Sequence, residues 1–246
     1  MDESLRKELR EVCQKANYIL FLGGAGISTA SGIPDFRSPS GLYQLKSKYG
    51  VPYETMLSHT YFEEHPDIFY DFYWSAMVHP NAKPNKAHLA LANWEKKGHL
   101  ICIVTQNIDG LHEDAGNSIV LEVHGSVRRY TCPVCGEKKT LDDIVPSGVP
   151  LCPHCHNILK PDVVLFEEPL DEETLNHAVA ATKHADVMII AGTSMNVYPI
   201  AALPMYFSGK KIIMINKEPT PFDAKCDYVI HDDAGKVLEE ILGDEE

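Results

Sequence analysis

Short apolar runs alternate with segments of helical periodicity along most of the chain. The first run, Tyr18–Leu22, follows a segment in which Leu5, Leu9, Val12 and Ala16 recur at the spacing of one helix face. Further strands are predicted at Leu100–Val104, Ile119–Val123, Val163–Phe166, Val187–Ala191, Lys211–Ile215 and Tyr228–Ile230. Helices are predicted at Asn85–Lys97, Asp171–Lys183, Pro199–Phe207 and Ala234–Leu242. Apolar strands alternating with helices are typical of a parallel sheet covered on both faces, so the predicted fold is α/β with a Rossmann-like sheet.

Two segments break this alternation. Residues 38–84 are rich in aromatic residues, histidine and proline and predict a helix near Tyr61–Val78, whereas residues 130–160 contain paired cysteines. Both are expected to be insertions that form a smaller domain beside the sheet. The predicted Rossmann-like domain consists of residues 1–37, 85–129 and 161–246. The predicted small domain consists of residues 38–84 and 130–160. A cleft between the two domains is the expected ligand site.

Composition and charge restrict the classes of protein and partner. The 246 residues are 44% hydrophobic and 23% charged, which is typical of a globular protein with one large domain and a smaller one. The net charge of −13 argues against nucleic acid or an anionic membrane as the main partner, because phosphate binding needs concentrated Lys and Arg. The charged N-terminus lacks the apolar stretch of a signal peptide, and no apolar run approaches the ~18 residues of a membrane span. A soluble, cytoplasmic protein is therefore predicted.

The spacing of the cysteines predicts a metal site. Four of the seven cysteines form two Cys-x2-Cys pairs with sixteen residues between them: Cys132, Cys135, Cys152 and Cys155. This spacing is typical of a four-cysteine zinc ribbon, with His154 and His156 as alternative ligands. Four thiolates complete a tetrahedral shell, so the zinc is expected to be structural.

A glycine-rich turn follows the first predicted strand. Gly24 and Gly26 would let the backbone approach a pyrophosphate at the start of a helix. The dinucleotide fingerprint is incomplete, because Thr29 stands where its third glycine should be and no acidic residue ends a second strand about twenty residues later. The turn therefore predicts a nucleotide site that does not serve a standard dehydrogenase, and an ordinary strand-to-helix turn is the alternative.

Three further polar segments are candidates for chemistry. The segment Gly32–Ser38 fits either a mobile flap over a ligand or a solvated turn with a core-facing Phe36. Thr105, Gln106 and Asn107 follow the predicted strand Leu100–Val104, where adjacent polar side chains are costly to bury unless they bond to a ligand or to one another. A helix cap by Asn107 or Asp109 is the alternative, and it accounts for only one of them. His124 also ends a strand and is suited to accept a proton near neutral pH, although a lone histidine there is more often structural.

Taken in order, these motifs resemble the sirtuin family over essentially the whole chain. The resemblance extends to Pro161–Phe166, Gly192–Pro199 and Ile215–Glu218. It implies an NAD-dependent protein-lysine deacylase that consumes NAD as a co-substrate. In the family scheme the acyl oxygen attacks C1′ of the nicotinamide ribose and nicotinamide leaves. The histidine matching His124 then acts as general base on a ribose hydroxyl, and the products are free lysine and acyl-ADP-ribose.

The resemblance also assigns site residues. It implies catalytic roles for His124, Asn107 and Asp109. The NAD-binding residues that it implies are Gly24, Ala25, Gly26, Ser28, Asp35, Phe36, Arg37, Gln106, Asn107, Ile108, Asp109, His124, Gly192, Thr193, Ser194, Asn216, Lys217, Asp233 and Ala234. Phe36 is expected to shield the reacting ribose. An extended acetyl-lysine peptide is expected to add as a strand between two edges formed by Val163, Val164, Leu165, Phe166, Asn196, Val197 and Tyr198.

The same resemblance suggests the acyl group and leaves other activities open. Asp67–His79 contains no Arg or Lys to recognise an acidic acyl group, so acetyl-lysine is favoured over succinyl-lysine. The family usually has Gly-Glu after Phe166, whereas this chain has Glu167 and Glu168, which alters the expected loop and favours basic peptides. Nicotinamide is expected as product and inhibitor. The alternatives are mono-ADP-ribosyl transfer, a preference for longer acyl groups, and a non-enzymatic NAD-sensing or zinc-ribbon binding module.

Overall fold

The computed structural model describes residues 1–36 and 49–243, apart from the side chain of Leu100. The α-helices in these ranges are α1 (Glu3–Gln14), α2 (Tyr53–Met56), α3 (His59–Glu64), α4 (Pro66–Ala76), α5 (Lys86–Lys96), α6 (Leu111–Ala115), α7 (Glu172–His184) and α8 (Ala234–Leu242). The strands are β1 (Tyr18–Gly23), β2 (Leu100–Thr105), β3 (Val120–Glu122), β4 (Gly125–Thr131), β5 (Lys138–Thr140), β6 (Lys160–Val163), β7 (Val187–Ala191), β8 (Lys211–Ile215) and β9 (Tyr228–Ile230).

Six of these strands form one parallel sheet in the order β3-β2-β1-β7-β8-β9. This order confirms the predicted Rossmann-like α/β fold. The direction in which strands are added reverses between β1 and β7, where Leu22 pairs with Ile190. In doubly wound sheets ligands bind at the carboxyl ends of the strands beside such a reversal. The fold therefore directs attention to the loops that follow β1 and β7.

Both faces of the large sheet are buried. Ile19 and Phe21 belong to a core cluster that includes residues of α1, α5 and α8. Leu20 and Leu22 point to the opposite cluster, which includes Ala178 of α7. A strand that is buried on both faces reads as a continuous apolar run, which explains why the sequence pattern located these strands.

A second, three-stranded antiparallel sheet has the order β5-β4-β6. Its core is aromatic, since Phe69, Tyr70 and Tyr73 of α4 pack in the same buried cluster as Tyr130 of β4. The prediction that Val163–Phe166 is a strand of the parallel sheet is wrong, because the strand is β6 and it pairs with β4. A short apolar run specifies burial without specifying the sheet that it joins.

Prolines and local turns account for three other differences from the sequence predictions. The helix predicted near Tyr61–Val78 is divided at His65, because Pro66 disfavours a helical conformation for the preceding residue. The helix predicted at Pro199–Phe207 is a 3₁₀ helix, Ile200–Tyr206. The segment after the glycine turn forms short 3₁₀ turns in place of a longer helix.

The proposed domain limits remain a prediction. Within the described ranges, no helix is both long and apolar enough to span a bilayer.

Candidate active site

The loops at one edge of the large sheet carry most of the residues singled out from the sequence. Because the six strands are parallel, the loops that follow their carboxyl ends lie at a common edge. These loops hold Gly24–Ser28 after β1, Gln106–Asp109 after β2, His124 after β3, Gly192–Ser194 after β7, Asn216 and Lys217 after β8, and Asp233 after β9. The structure therefore gathers separate sequence motifs into one candidate site.

Glycines allow the loops after β1 and β7 to touch. The N–H of Gly26 donates to the carbonyl of Gly192 at 2.8 Å. A Cβ atom on Gly24 would lie 2.7 Å from Cβ of Thr193, and one on Gly26 would lie 2.8 Å from Cα of Gly192. Gly192 itself has φ of +60°, which favours glycine. The glycines thus bring two loop backbones together where a doubly wound sheet binds a nucleotide, so the chain here fits NAD.

A buried polar network joins three candidate side chains. The Asn107 amide donates from Nδ2 to Oγ of Ser28 at 3.0 Å, and that hydroxyl donates to Oδ2 of Asp109 at 2.6 Å. The other carboxylate oxygen, Oδ1, accepts from the Leu111 N–H at 2.9 Å. Ser28 and Asn107 are buried. Amide, hydroxyl and carboxylate therefore have fixed orientations before any ligand binds.

His124 lies beside this network with one ring nitrogen occupied. Its Nδ1 is 3.0 Å from the carbonyl oxygen of Gln106, which only accepts, so Nδ1 carries the proton and Nε2 has the free lone pair. Burial lowers the pKa of His124 below its ordinary value, and the Gln106 carbonyl only partly opposes this effect. Gln106 also donates from Nε2 to Oγ1 of Thr193 at 3.0 Å. The imidazole is thus neutral at neutral pH, with a lone pair on Nε2 that could accept a proton.

The residues expected at the adenosine end also lie together. Lys217 Nζ is 3.2 Å from Oδ2 of Asp233, and Oδ1 of Asp233 accepts from the Lys236 N–H as the N-cap of α8. Ala234 is buried directly after this cap. Asn216 donates from Nδ2 to the carbonyl of Glu218 at 2.7 Å. These contacts give the loop a defined shape on the same side of the sheet.

An aromatic contact connects the predicted flap with the predicted peptide edge. Phe36 packs on Tyr53 with ring centroids 5.6 Å apart, and Tyr53 meets Phe166 edge to face at 6.1 Å. Asp35 is half-buried. The predicted role of Arg37 falls outside the described residues. The flap and the peptide edge therefore share one aromatic cluster.

Both predicted peptide edges lie at the surface, as shown by the exposure of Phe166, Val197 and Tyr198. Within the first edge, the Val164 N–H donates to the His124 carbonyl at 2.9 Å and the Phe166 N–H donates to the Leu57 carbonyl at 2.9 Å. These bonds anchor the edge to the loop after β3 on one side and to the end of α2 on the other.

The acidic pair after Phe166 adopts a specific loop. Glu167 has φ of +77°, a backbone conformation that glycine adopts more readily. Its carboxylate accepts from the backbone N–H of Thr60 at 2.9 Å and from the Thr60 hydroxyl at 2.8 Å. The Glu168 carboxylate lies between two basic side chains, with Oε1 2.9 Å from His59 Nδ1 and Oε2 3.0 Å from Lys160 Nζ. The loop is thus fastened to the first turn of α3.

The four paired cysteines form one cluster. Their sulfur atoms all lie within 4.8 Å of one another. The two pairs sit on equivalent turns, in which the Gly136 N–H donates to the Cys132 carbonyl and the His156 N–H donates to the Cys152 carbonyl. His154 is directed to Glu137 at 3.3 Å. Four thiolates at this spacing fit a tetrahedral zinc ion with no position left for water, as a structural site requires.

Sequence reasoning missed two features beside the site. Arg128 contacts the loop that carries Asp109, with Nε 3.2 Å from the Asp109 carbonyl oxygen. His88 and His112 are buried against each other with ring centroids 4.7 Å apart. The partners of Arg128 are distant in sequence, so no local pattern could have revealed its role.

Fold and site together define a doubly wound α/β nucleotide-binding protein with a four-cysteine metal module. The Sir2 family model matches residues 24–199, and the chain belongs to the Sir2 family. A Clostridium perfringens protein named NAD-dependent protein deacetylase is 49% identical over 247 residues, which cover 98% of this chain and 100% of that protein.

Solved structures agree with this family membership. A Sir2 variant with a deacetylated peptide and 3′-O-acetyl ADP-ribose has a TM-score of 0.87 and 37% identity, with 96% of both chains covered. A complex of a Sir2 homolog with NAD has a TM-score of 0.86 and 37% identity, with 98% of this chain and 93% of that chain covered. The sirtuin resemblance is thereby confirmed.

Proposed function

We propose that this chain is an NAD-dependent protein-lysine deacetylase. Its Sir2 family membership and the name of its Clostridium perfringens relative support the proposal. The observation that carries it is the meeting of the Asn107–Ser28–Asp109 network with a neutral His124 at the nucleotide-binding edge of the sheet. The first half of the reaction needs groups that bind the nicotinamide ribose, which the network would supply. The second half needs a general base, which His124 would supply.

NAD, when bound, supplies the ribose that accepts the acyl group and supplies nicotinamide as the leaving group. The residues proposed to hold it are Gly24, Ala25, Gly26, Ser28, Asp35, Phe36, Arg37, Gln106, Asn107, Ile108, Asp109, His124, Gly192, Thr193, Ser194, Asn216, Lys217, Asp233 and Ala234. Asn107 and Asp109 would bind the nicotinamide-ribose end, because their orientations are already fixed by Ser28. Phe36 would exclude water from that end.

His124 is the proposed general base. A base must be unprotonated and must have a free lone pair, and the bond between Nδ1 and the Gln106 carbonyl leaves that lone pair on Nε2. Nε2 would accept a proton from a substrate hydroxyl. Because burial lowers the pKa of His124, the base stays unprotonated at neutral pH.

The proposed macromolecular substrate is an acetyl-lysine peptide in extended conformation. It would lie between the edges formed by residues 163–166 and 196–198, with recognition mainly through backbone hydrogen bonds. The acetyl group is favoured over an acidic acyl group because α4 lines an aromatic core and contains no Arg or Lys. We further propose nicotinamide as product and inhibitor, a location in the cytoplasm, and no direct binding of nucleic acid or membrane.

Mass spectrometry of an acetyl-lysine peptide, incubated with the protein with and without NAD, tests this function. Loss of acetyl only with NAD, together with release of nicotinamide and acetyl-ADP-ribose, is the expected result. NAD cleavage with an unchanged peptide would favour ADP-ribosyl transfer or a different acyl group. If a folded, zinc-loaded sample changes neither the peptide nor NAD, the result would contradict the enzyme hypothesis and favour a non-enzymatic binding module.

The His124→Ala variant tests the assigned base. We expect deacetylation to fall by about 10²–10⁴-fold, the usual contribution of general acid–base catalysis. His177→Ala is the matched control, because His177 is exposed on α7 and should leave turnover unchanged. Wild-type turnover by His124→Ala, in a sample with unchanged circular dichroism and zinc content, would contradict the mechanism.

A further inference from the structure

The segment that runs from His124 into the start of β4 holds the loop that follows β2 at three places. Nδ1 of His124 lies 3.0 Å from the Gln106 carbonyl oxygen, and the Val127 N–H donates to the Ile108 carbonyl at 2.9 Å. Arg128 Nε donates to the carbonyl of Asp109 at 3.2 Å. Of these three contacts, only that of Arg128 is made by a side chain other than the proposed base.

Arg128 also grips the element on the far side of this loop. Its Nη1 donates to Oδ1 of Asp114 on α6 at 2.7 Å, and its Nη2 donates to Oδ2 of the same carboxylate. One guanidinium thus spans the Asp109 carbonyl and α6, with Gly110 between them. A forked arginine–carboxylate pair fixes orientation as well as distance.

Gly110 makes this close approach possible. It has φ of +73°, and a Cβ atom there would lie 2.4 Å from Nε of Arg128. The guanidinium therefore lies against bare backbone at the residue directly after Asp109. A side chain at this position would displace the arginine.

We propose that Arg128 is a positioning residue that sets the location of Asp109 and Asn107 for catalysis. The Asp109 carboxylate is held by Ser28 and by the Leu111 N–H, while its carbonyl is held from the other side by Arg128. This inference rests on the proposed deacetylase function. Misplacement of a binding group by about 1 Å costs up to ~10²-fold in rate, so loss of the clamp acts on turnover without removing a catalytic group.

The chain supplies a matched control in the next residue. Arg129 is also on β4 and also forms an ion pair, but its partner is Glu122 of β3 at 2.7 Å. The side chains of Arg128 and Arg129 are 39% and 52% exposed, respectively. Their partners differ, since the side chain of Asp114 is 39% exposed and that of Glu122 is 8% exposed. Removing Arg129 leaves the more buried carboxylate unpaired, so it should destabilise the protein at least as much as removing Arg128 and controls for a general loss of stability.

Steady-state kinetics of Arg128→Met and Arg129→Met test the catalytic part of the inference. We expect kcat of Arg128→Met to fall by about 10–100-fold while the peptide KM changes by less than about twofold, and kcat of Arg129→Met to change by less than about twofold. Arg128→Lys should recover part of the lost kcat. A lysine ammonium can pair with the Asp114 carboxylate, but it lacks the second donor that arginine Nε supplies to the Asp109 carbonyl.

Hydrogen–deuterium exchange tests the clamp independently of activity. In the protein without NAD, amides of residues 106–115 should exchange about tenfold faster in Arg128→Met than in wild type or in Arg129→Met. If Arg128→Met does not fold, Arg128→Lys carries both tests, with a smaller expected change in the same direction.

The outcomes separate this inference from the proposed function. Unchanged exchange in residues 106–115 would overturn the clamp, and faster exchange with unchanged kcat would overturn its catalytic role. Equal losses of kcat in Arg128→Met and Arg129→Met would also overturn it. A wild-type protein without NAD-dependent deacetylation would instead contradict the proposed function, and the clamp would then be decided by the exchange result alone.

Discussion

The buried pair His88 and His112 shows what one side chain contributes to the pH dependence of stability. Both residues are buried, and neither ring nitrogen of His112 has a hydrogen-bond partner among the described residues. Burial lowers the pKa of His88 to about 4 and that of His112 to about 3. Both imidazoles are therefore neutral in the folded protein, whereas in the unfolded chain they titrate near the ordinary value of about 6.5.

Acidification should destabilise the folded state through this pair. The folded-state pKa values are depressed, so the unfolded chain binds more protons and the free energy of unfolding falls as the pH drops below about 6.5. At pH 5 the expected loss is about 2 kcal/mol for each histidine. His112→Phe should reduce this loss, because it keeps the ring and removes the titration. Urea denaturation at about pH 8 and pH 5 measures the difference, and equal loss in wild type and variant would contradict the argument.

Glu167 illustrates the separate effects of backbone and side chain at one position. Its φ of +77° disfavours any residue other than glycine, while its carboxylate binds the first turn of α3 through Thr60. Glu167→Ala loses the bonds and keeps the strained conformation, whereas Glu167→Gly loses the bonds and relieves the strain. We therefore expect the glycine variant to melt about 2–4 °C above the alanine variant. Equal melting temperatures would show that the backbone is not strained.

Individual site residues differ in how well the sequence predicts them. Asn107, Asp109 and His124 could be selected because polar residues that follow parallel strands meet at one edge. Their mutual bonds through Ser28 depend on how the loops after β1 and β2 approach each other, which the sequence pattern does not encode. Arg128 lay beyond prediction for the same reason, since its partners come from two other elements.

At the scale of elements, the cysteine module has the arrangement of a structural zinc site. The turn at Cys132 and the turn at Cys152 each contain a residue in the left-handed conformation, Gly136 and His156 respectively, and the four sulfur atoms meet between the two turns. Without a metal, only weak thiol contacts, such as that of Cys132 Sγ with Cys155 Sγ at 3.4 Å, would link the sulfur atoms of the two turns. Structural zinc contributes directly to folding free energy in such small modules.

Zinc removal should therefore unfold the module that contains β4–β6 before the large sheet. A chelator, with metal loss verified by elemental analysis, is expected to lower the first melting transition by about 10 °C or more. Cys155→Ser should reproduce the effect, and Cys226→Ser, outside the cluster, should not. Unaltered melting after verified loss of zinc would refute a structural role.

The elements themselves were predictable where burial was complete. The strands β1, β2, β7 and β8 are inside the sheet and read as uninterrupted apolar runs. In contrast, β6 joins the small sheet with an alternating burial pattern, and the helical region around His65 depends on one proline. These outcomes depend on tertiary partners or on a single residue, which periodicity detects poorly.

At the scale of the whole molecule, the net charge of −13 should affect the choice of substrate. An excess of carboxylates attracts cationic peptides over a Debye length of about 30 Å in 10 mM salt, which shrinks to about 8 Å at physiological ionic strength. We expect the KM of an acetyl-peptide flanked by Lys and Arg to rise about threefold or more over this range of salt. A peptide with neutral flanks is the control, and equal salt dependence of the two peptides would exclude electrostatic selection.

The pairing of Gly125 with Val163 has a different kind of consequence for the molecule. The chain leaves the carboxyl edge of the large sheet directly after His124, forms the cysteine module, and returns at Val163 to a position beside its starting point. Because the two ends of the module lie side by side, a change in the number of residues within the module does not alter the distance between those ends. Insertions and deletions within the module can therefore accumulate during evolution without moving the loops at the carboxyl edge of the large sheet.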